Sequence, residues 1–206
     1  MPGESVHAVM LAAGASERMG RDKLLMEVGG MTILEISLAN HLESSLDGVS
    51  IVVPGWVDGF KAIAAGTADD RAVFIETDRP GDMSASLKVG WSWARDNTES
   101  RGIMISLADQ PLVGRRTIDL LVKTYLESDM GFCVPTYRGL RGHPVIVGRE
   151  FDSDVMQLSG DRGAREIMAR RPGLVLEVEV ASDEVVLDLD RIEDFEAIRS
   201  RIRSRG

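Results

Sequence analysis

The sequence predicts an α/β protein built on a mostly parallel sheet. Two observations carry this: short apolar runs of strand length recur along the chain, and stretches of helical periodicity separate them. A third, the break from apolar run into glycine and small residues after residue 11, places a ligand loop at a strand end. Strands are expected at residues 8–11, 49–53, 72–76, 103–107 and 131–134, and helices at 32–46, 57–65, 84–95 and 115–127. In the first helix Ile33, Leu34, Ile36, Leu38 and Leu42 form the apolar face, with Glu35 and Asn40 outside it. Trp91 and Trp93 are expected to pack the third helix onto the sheet. After Thr136 a Gly/Arg-rich connection leads to a short strand at 145–147 and a further helical zone. Residues 174–180 alternate Leu/Val with Glu, as a half-solvated strand does, and 192–202 read as a charged closing helix.

A chain of 206 residues with 44% hydrophobic content suits one well-packed domain. Its two halves are expected to divide at about residue 110, into 1–110 and 111–206. A net charge of −9 argues against nucleic acid and anionic membranes as partners. No apolar run reaches the roughly 18 residues of a membrane-spanning helix, and no signal-peptide pattern is visible. Cys133 is the only cysteine, which excludes an intramolecular disulfide and fits a reducing cytoplasm. Its expected place is inside the 131–134 strand, as a small apolar residue.

The loop from Leu11 through Ala12, Ala13 and Gly14 to Arg18 and Lys23 is built to hold phosphate. Small residues let main-chain N–H groups approach an anion, and the two cations neutralise it. It is not a Walker A loop, because Arg21 and Asp22 separate Gly20 from Lys23. Nor is it a dinucleotide fingerprint, because Ser16 stands where the second glycine is needed. The second site is Leu107-Ala108-Asp109-Gln110-Pro111, an apolar strand ending in a carboxylate. A single Asp there suits Mg²⁺, which takes one or two carboxylates and completes its shell with water and phosphate oxygens. A turn Asp before proline would look the same.

Gly81-Asp82-Met83-Ser84-Ala85-Ser86 can offer N–H and hydroxyl donors at a helix start, and Ser84 is equally suited to cap that helix. In Arg141-Gly142-His143-Pro144, Arg141 and His143 can grip a phosphate on a loop fixed by glycine and proline. Ser159-Gly160-Asp161-Arg162-Gly163-Ala164-Arg165 feeds a helix whose arginines suit a second phosphate, or Asp161 merely caps it. Asp188 and Asp190 share one face if the segment is a strand, which makes Asp190 the second metal candidate.

These motifs resemble those of the MobA-like nucleotidyltransferases. L-A-A-G-x-S-x-R-M-G-x-x-K at 11–23 is similar to the family signature, and its L-A-A-G form resembles the cytidylyltransferase branch. L-A-D-Q-P-L, M-S-A-S-L, R-G-H-P and G-D-R-G-A-R resemble further family motifs, while Arg191 and Ile192 depart from the family's D-x-D-T-P-E-D. Asp82 also alters the spacing before Met83 relative to the family's G-M-S-x-S-L.

The resemblance implies a Rossmann-like three-layer α/β/α fold of the nucleotide-diphospho-sugar transferase type. It further implies transfer of CMP from CTP to the phosphate of molybdopterin or molybdenum cofactor, with pyrophosphate leaving. Mg²⁺, or Mn²⁺ in its place, is the implied cofactor, and a molybdoenzyme or its chaperone the implied protein partner. By the same resemblance Arg18, Lys23 and Asp109 are catalytic, and Asp109 and Asp190 hold metal. Leu11, Ala12, Ala13, Gly14, Ser84 and Ser86 join Arg18 and Lys23 around the nucleotide, and Arg141, His143 and Arg165 meet the acceptor. Three other readings stay open: GTP as donor, a sugar or alditol phosphate as acceptor, and a carrier of the cofactor that transfers nothing.

Overall fold

Six of the strands run parallel because helices return the chain to the same edge each time. In the computed structural model, which describes residues 3–13, 23–78, 82–160, 163–189 and 192–204, β1 (Val6–Leu11) lies in the middle of the sheet. A short pair, β2 (Glu27–Val28) and β3 (Met31–Thr32), precedes α1 (Ile33–Leu42). Then follow β4 (Gly48–Pro54), α2 (Asp58–Gly66), β5 (Ala72–Thr77), α3 (Met83–Asn97), β6 (Gly102–Leu107) and α4 (Arg115–Leu126). The second part holds β7 (Phe132–Tyr137), β8 (Leu140–Arg141), β9 (Val145–Gly148), α5 (Asp152–Met156), α6 (Ala164–Arg170), β10 (Val175–Glu179) and α7 (Ile192–Arg203).

The main sheet has eight strands in the order β10-β7-β9-β6-β1-β4-β5, with β8 paired to β7. β9 alone on this path runs antiparallel to its neighbours, β6 and β7. The Gly/Arg-rich connection explains it. β7 turns through Arg138 and Gly139, both at positive φ, into β8, and the chain then enters β9 from the sheet's carboxyl edge. β10 is an edge strand parallel to β7, which matches its half-solvated pattern.

Alternation along the strands sends side chains to two cores. Val6, Ala8 and Met10 of β1 meet residues of α1, α2, α4 and α7 on one face. Val9, with Val52 of β4, meets α3, α5 and α6 on the other. The result is three layers, as the resemblance implied. Trp91 is fully buried in the second core, and Trp93 packs beside it against the His7 ring. Cys133 lies in the first core, where burial pushes its thiol up to about 12.

Helix ends are set by local chemistry. Thr32 and Glu35 form a capping box at α1, the Glu35 N–H donating to Thr32 Oγ1 and the Thr32 N–H to Glu35 Oε2. Helix α1 stops at Leu42, four residues before the expected end, because Ser44 and Leu46 turn the chain into β4. At the sheet's amino edge three arginines hold helix C-terminal carbonyls. Arg71 donates to Leu42 of α1, Arg149 to Arg95 and Thr98 at the end of α3, and Arg101 to Leu126 and Ser128 at the end of α4. The β2–β3 pair, turned by Gly29 and Gly30 at positive φ, was not expected, although two glycines between Val28 and Met31 signal such a turn.

Helix α3 approaches the sheet through Gly90. A Cβ there would stand 2.4 Å from Val9 Cγ1 and 2.8 Å from Val52 Cγ2, both on stiff β-branched side chains. Gly90→Ala is expected to lower stability by about 1–3 kcal/mol through overpacking, read as a fall in Tm and in the urea midpoint.

Candidate active site

The order of strands places a crevice. From β1 the chain moves outward through β4 to β5, then returns to β6 on the opposite side of β1. Ligands of open α/β sheets sit at such a reversal, outside the carboxyl ends of the strands. Two expected residues meet there. Lys23, in a 3-10 turn after the β1 loop, and Asp109, two residues beyond β6, form an ion pair with Nζ to Oδ2 at 2.6 Å. Both side chains are largely enclosed, at 17% and 19% exposure. The ammonium also donates to the Leu189 carbonyl at 2.6 Å, and the Leu189 N–H donates to the Asp109 carbonyl. Leu189 therefore ties the C-terminal segment to both partners, and motif reading does not reveal a main-chain carbonyl.

His143 stands beside this pair. β9 begins next to the end of β6, and the His143 N–H donates to the Val185 carbonyl at 2.8 Å. Burial holds the imidazole below its ordinary pKa, with the Asp109 charge pulling the other way, so the ring is neutral at pH 7. Gly142 allows this approach. A Cβ on it would lie 2.1 Å from the Val185 oxygen, a main-chain atom that cannot swing aside.

The other expected residues divide. Leu11 ends β1, Ala12 is buried, and Ala13 is 7% exposed and packs in the core under α3. A base at this edge can meet only the small exposed part of Ala13. Ser84 is buried and donates from Oγ to Asp82, while its N–H donates to the Gly160 carbonyl at 3.2 Å. Asp82, not Ser84, is the N-cap of α3, accepting from the Ala85 N–H. Ser86 is buried one turn into the helix. The Ser84–Gly160 bond brings the third and fifth motifs together.

Arg141 is turned to β10, where Nε and Nη2 both donate to Glu177 at 2.8 and 2.6 Å. Arg165 lies exposed in the first turn of α6, a helix of seven residues with Gly163 at its N-cap. Residues 187–189 form no strand, so the shared strand face expected for Asp188 and Asp190 is not present up to Leu189. Gly14, Arg18, Asp161 and Asp190 lie outside the described residues.

Behind Asp109 is a polar cluster that motif reading missed. Ser37 Oγ donates to the Ala108 carbonyl at 2.7 Å, and Asn40 Nδ2 to the Pro111 carbonyl at 3.0 Å. His41 Nδ1 lies 2.8 Å from the Ser37 carbonyl and Nε2 2.8 Å from Ser106 Oγ. A carbonyl only accepts, so Nδ1 carries the proton and Ser106 donates to Nε2. A sequence signal existed: Ser37 and His41 interrupt the apolar face of α1 at i and i+4, with Asn40 at i+3 on its border.

Among the described residues no group of three or more His, Cys, Asp or Glu side chains is placed to hold a metal. The donor set still suits a divalent cation shared with a ligand. A largely enclosed carboxylate at the strand end fits Mg²⁺ or Mn²⁺, whose remaining positions phosphate and water would fill, once the Lys23 ammonium gives way. No helix among the described residues is long and apolar enough to cross a membrane.

A mostly parallel three-layer fold, with a cation and a carboxylate facing each other at its reversal point, is a setting suited to binding a nucleotide. The chain belongs to the MobA-like NTP transferase domain family, which matches residues 8–175. It is 30% identical over 200 residues to the purine catabolism protein PucB of Bacillus subtilis, covering 93% of this chain and 94% of that one. The molybdenum cofactor cytidylyltransferase of Escherichia coli is 23% identical, with 96% and 97% covered. Among solved structures, that of Rv0371c from Mycobacterium tuberculosis superposes with a TM-score of 0.82 at 25% identity, covering 97% of this chain and all of that one.

His41 makes the fold pH-sensitive. Burial lowers its pKa from 6.5 to about 4. Below pH 6.5 the unfolded chain takes up a proton that the folded chain refuses, so stability falls as pH drops toward 4. The expected loss is on the order of 3 kcal/mol across this window. Urea unfolding at pH 7, 6, 5 and 4 checks it: the difference between parent and His41→Leu should shrink as the pH falls.

Proposed function

We propose that the chain transfers CMP from CTP to the phosphate of a molybdopterin-type acceptor and releases pyrophosphate. The observation that supports this best is the enclosed Lys23–Asp109 pair at the reversal point. An acceptor phosphate is already ionised at neutral pH. Its oxygen attacks the α-phosphorus in line, a new P–O bond forms, and the bond to the β-phosphate bridging oxygen breaks. No general base is required, which agrees with the neutral His143 serving as a contact to the acceptor. The chain's task is then positioning and charge stabilisation.

Each residue has a part in this reading. Lys23 turns from Asp109 to the triphosphate and stabilises charge on the departing pyrophosphate, with Arg18 beside it. Asp109, with Asp190, holds Mg²⁺, for which Mn²⁺ is a substitute. A divalent cation at Asp109 would supply Lewis-acid neutralisation of the phosphates. Leu11 to Gly14, Ser84 and Ser86 line the nucleotide, and Arg141, His143 and Arg165 face the acceptor. Arg141 must leave Glu177 to do so. We read residues 1–206 as one domain, with the nucleotide half up to about residue 110. The single cysteine, buried and reduced, suits the cytoplasm.

Support for CTP comes from the L-A-A-G loop and the cytidylyltransferase relative. Support for a divalent cation comes from the carboxylate, and from a manganese complex among the Rv0371c structures. Pyrophosphate release measured with CTP, GTP, ATP and UTP, each with Mg²⁺ and molybdopterin, tests the proposal. CTP should lead, by about 10–200-fold if the methyl group of Ala13, beside Gly14, decides the base. Asp109→Asn should cut the rate by about 100-fold or more while the fold persists. Release with GTP ahead of CTP would move the donor, and release only with a sugar or alditol phosphate would move the acceptor. Binding of the pterin with no release from any nucleotide would replace the transferase with a carrier.

A further inference from the structure

We infer that Ser37, Asn40 and His41 form a positioning clamp, by which α1 fixes the direction of the Asp109 carboxylate. The inference rests on the reading of Asp109 as a cation ligand. The ladder between β1 and β6 ends at the Leu11–Leu107 pair, so Asp109 lies beyond the last residue that sheet pairing holds in register. Something else must set its main chain. The Ala108 N–H still reaches the Leu11 carbonyl, and the Gln110 N–H turns back to Leu107. Besides the Gln110 carbonyl, which accepts from the Val113 N–H, three carbonyls of this turn are held from outside it: those of Ala108, just before Asp109, and Pro111, two residues after it, by α1 through Ser37 Oγ and Asn40 Nδ2. The third, on Asp109 itself, is taken by Leu189.

The clamp closes on itself. His41 joins the Ser37 carbonyl to the Ser106 hydroxyl, so the helix grips β6 three residues before Asp109 and the turn beyond it one residue before and two residues after Asp109. Ser37, His41 and Ser106 are 1%, 2% and 2% exposed. Packing alone would favour apolar side chains at such positions, because a buried polar network stabilises only when every member is satisfied. What the network adds is direction: each bond fixes a carbonyl or hydroxyl near one carboxylate. Burial keeps His41 neutral, so the bonds persist across physiological pH. None of the three touches the carboxylate, and they act by orienting the segment that carries it.

Mn²⁺ binding, followed by electron paramagnetic resonance with the metal alone, tests the clamp on the full chain. Asp109→Asn should lose Mn²⁺. Ser37→Ala and Asn40→Ala should each weaken it by about 10–100-fold, with circular dichroism unchanged. Asn40 is only half-buried, so its variant remains informative if Ser37→Ala fails to fold. If Asp109→Asn loses Mn²⁺ while folded clamp variants bind within twofold of the parent, the residues are structural and the inference falls. If Asp109→Asn binds like the parent, the ligand reading of Asp109 fails and takes the clamp with it.

Discussion

The bond between Lys23 and Asp109 is the constraint on which the rest of the site depends. Two charges drawn from separate strand ends are largely enclosed together, and each offsets the desolvation of the other. Removing one partner of an enclosed pair leaves the other uncompensated, at a cost far above that of an exposed ion pair. The fold answers by fixing both partners. Leu189 accepts from the lysine and donates to the aspartate main chain, so the C-terminal segment is bonded to both partners. The Gly142 turn is pressed against the neighbouring Val185, and through it His143 is brought to the same aspartate. Strand order, C-terminal segment and antiparallel β9 converge on one carboxylate.

That convergence resolves a tension in the composition. The chain carries a net charge of −9, yet its family handles nucleoside triphosphates. Attraction therefore has to be local. The amino edge spends arginines on helix C-termini, where they meet carbonyl oxygens rather than ligands. At the opposite edge lie the end of β1 with Ala12 and Ala13, Lys23, and the N-terminus of α3, whose positive dipole end faces the same side as the strand ends. On the proposed function, the Lys23 ammonium held by Asp109 is stored charge: a counter-ion for the carboxylate that a polyanion and its cation would share out again.

Much of this was legible because it rests on local patterns. The apolar runs at residues 49–53 and 103–107 read as strands because a parallel sheet covered on both faces buries them, the run at 72–76 is a half-buried edge strand, and each lies within an observed strand. Lys23 and Asp109, 86 positions apart in sequence, could be paired because both follow apolar strands, and the ligand edge collects strand ends. The direction of β9 was not legible, since a run of Val and Ile reads the same in either sense. The fate of Arg141 was hidden for a related reason. Glu177 is remote in sequence, and a guanidinium beside R-G-H-P looks equally ready for a phosphate or a carboxylate.

The α1 cluster shows where pattern reading has its deepest gap. Ser37, Asn40 and His41 carry no motif, and Asn40 counts as an outward residue in an amphipathic reading. Their partners are main-chain carbonyls, which every sequence possesses and none displays. The signal lies in the mismatch: three polar residues at helical spacing on a helix whose apolar face belongs to the core. A core accepts such residues only when geometry is worth more than packing, and here the geometry surrounds the residue proposed to hold the cation. Polar interruptions of a core helix are thus informative about function even with no recognised motif, because the sheet end they face is where chemistry has to be held still.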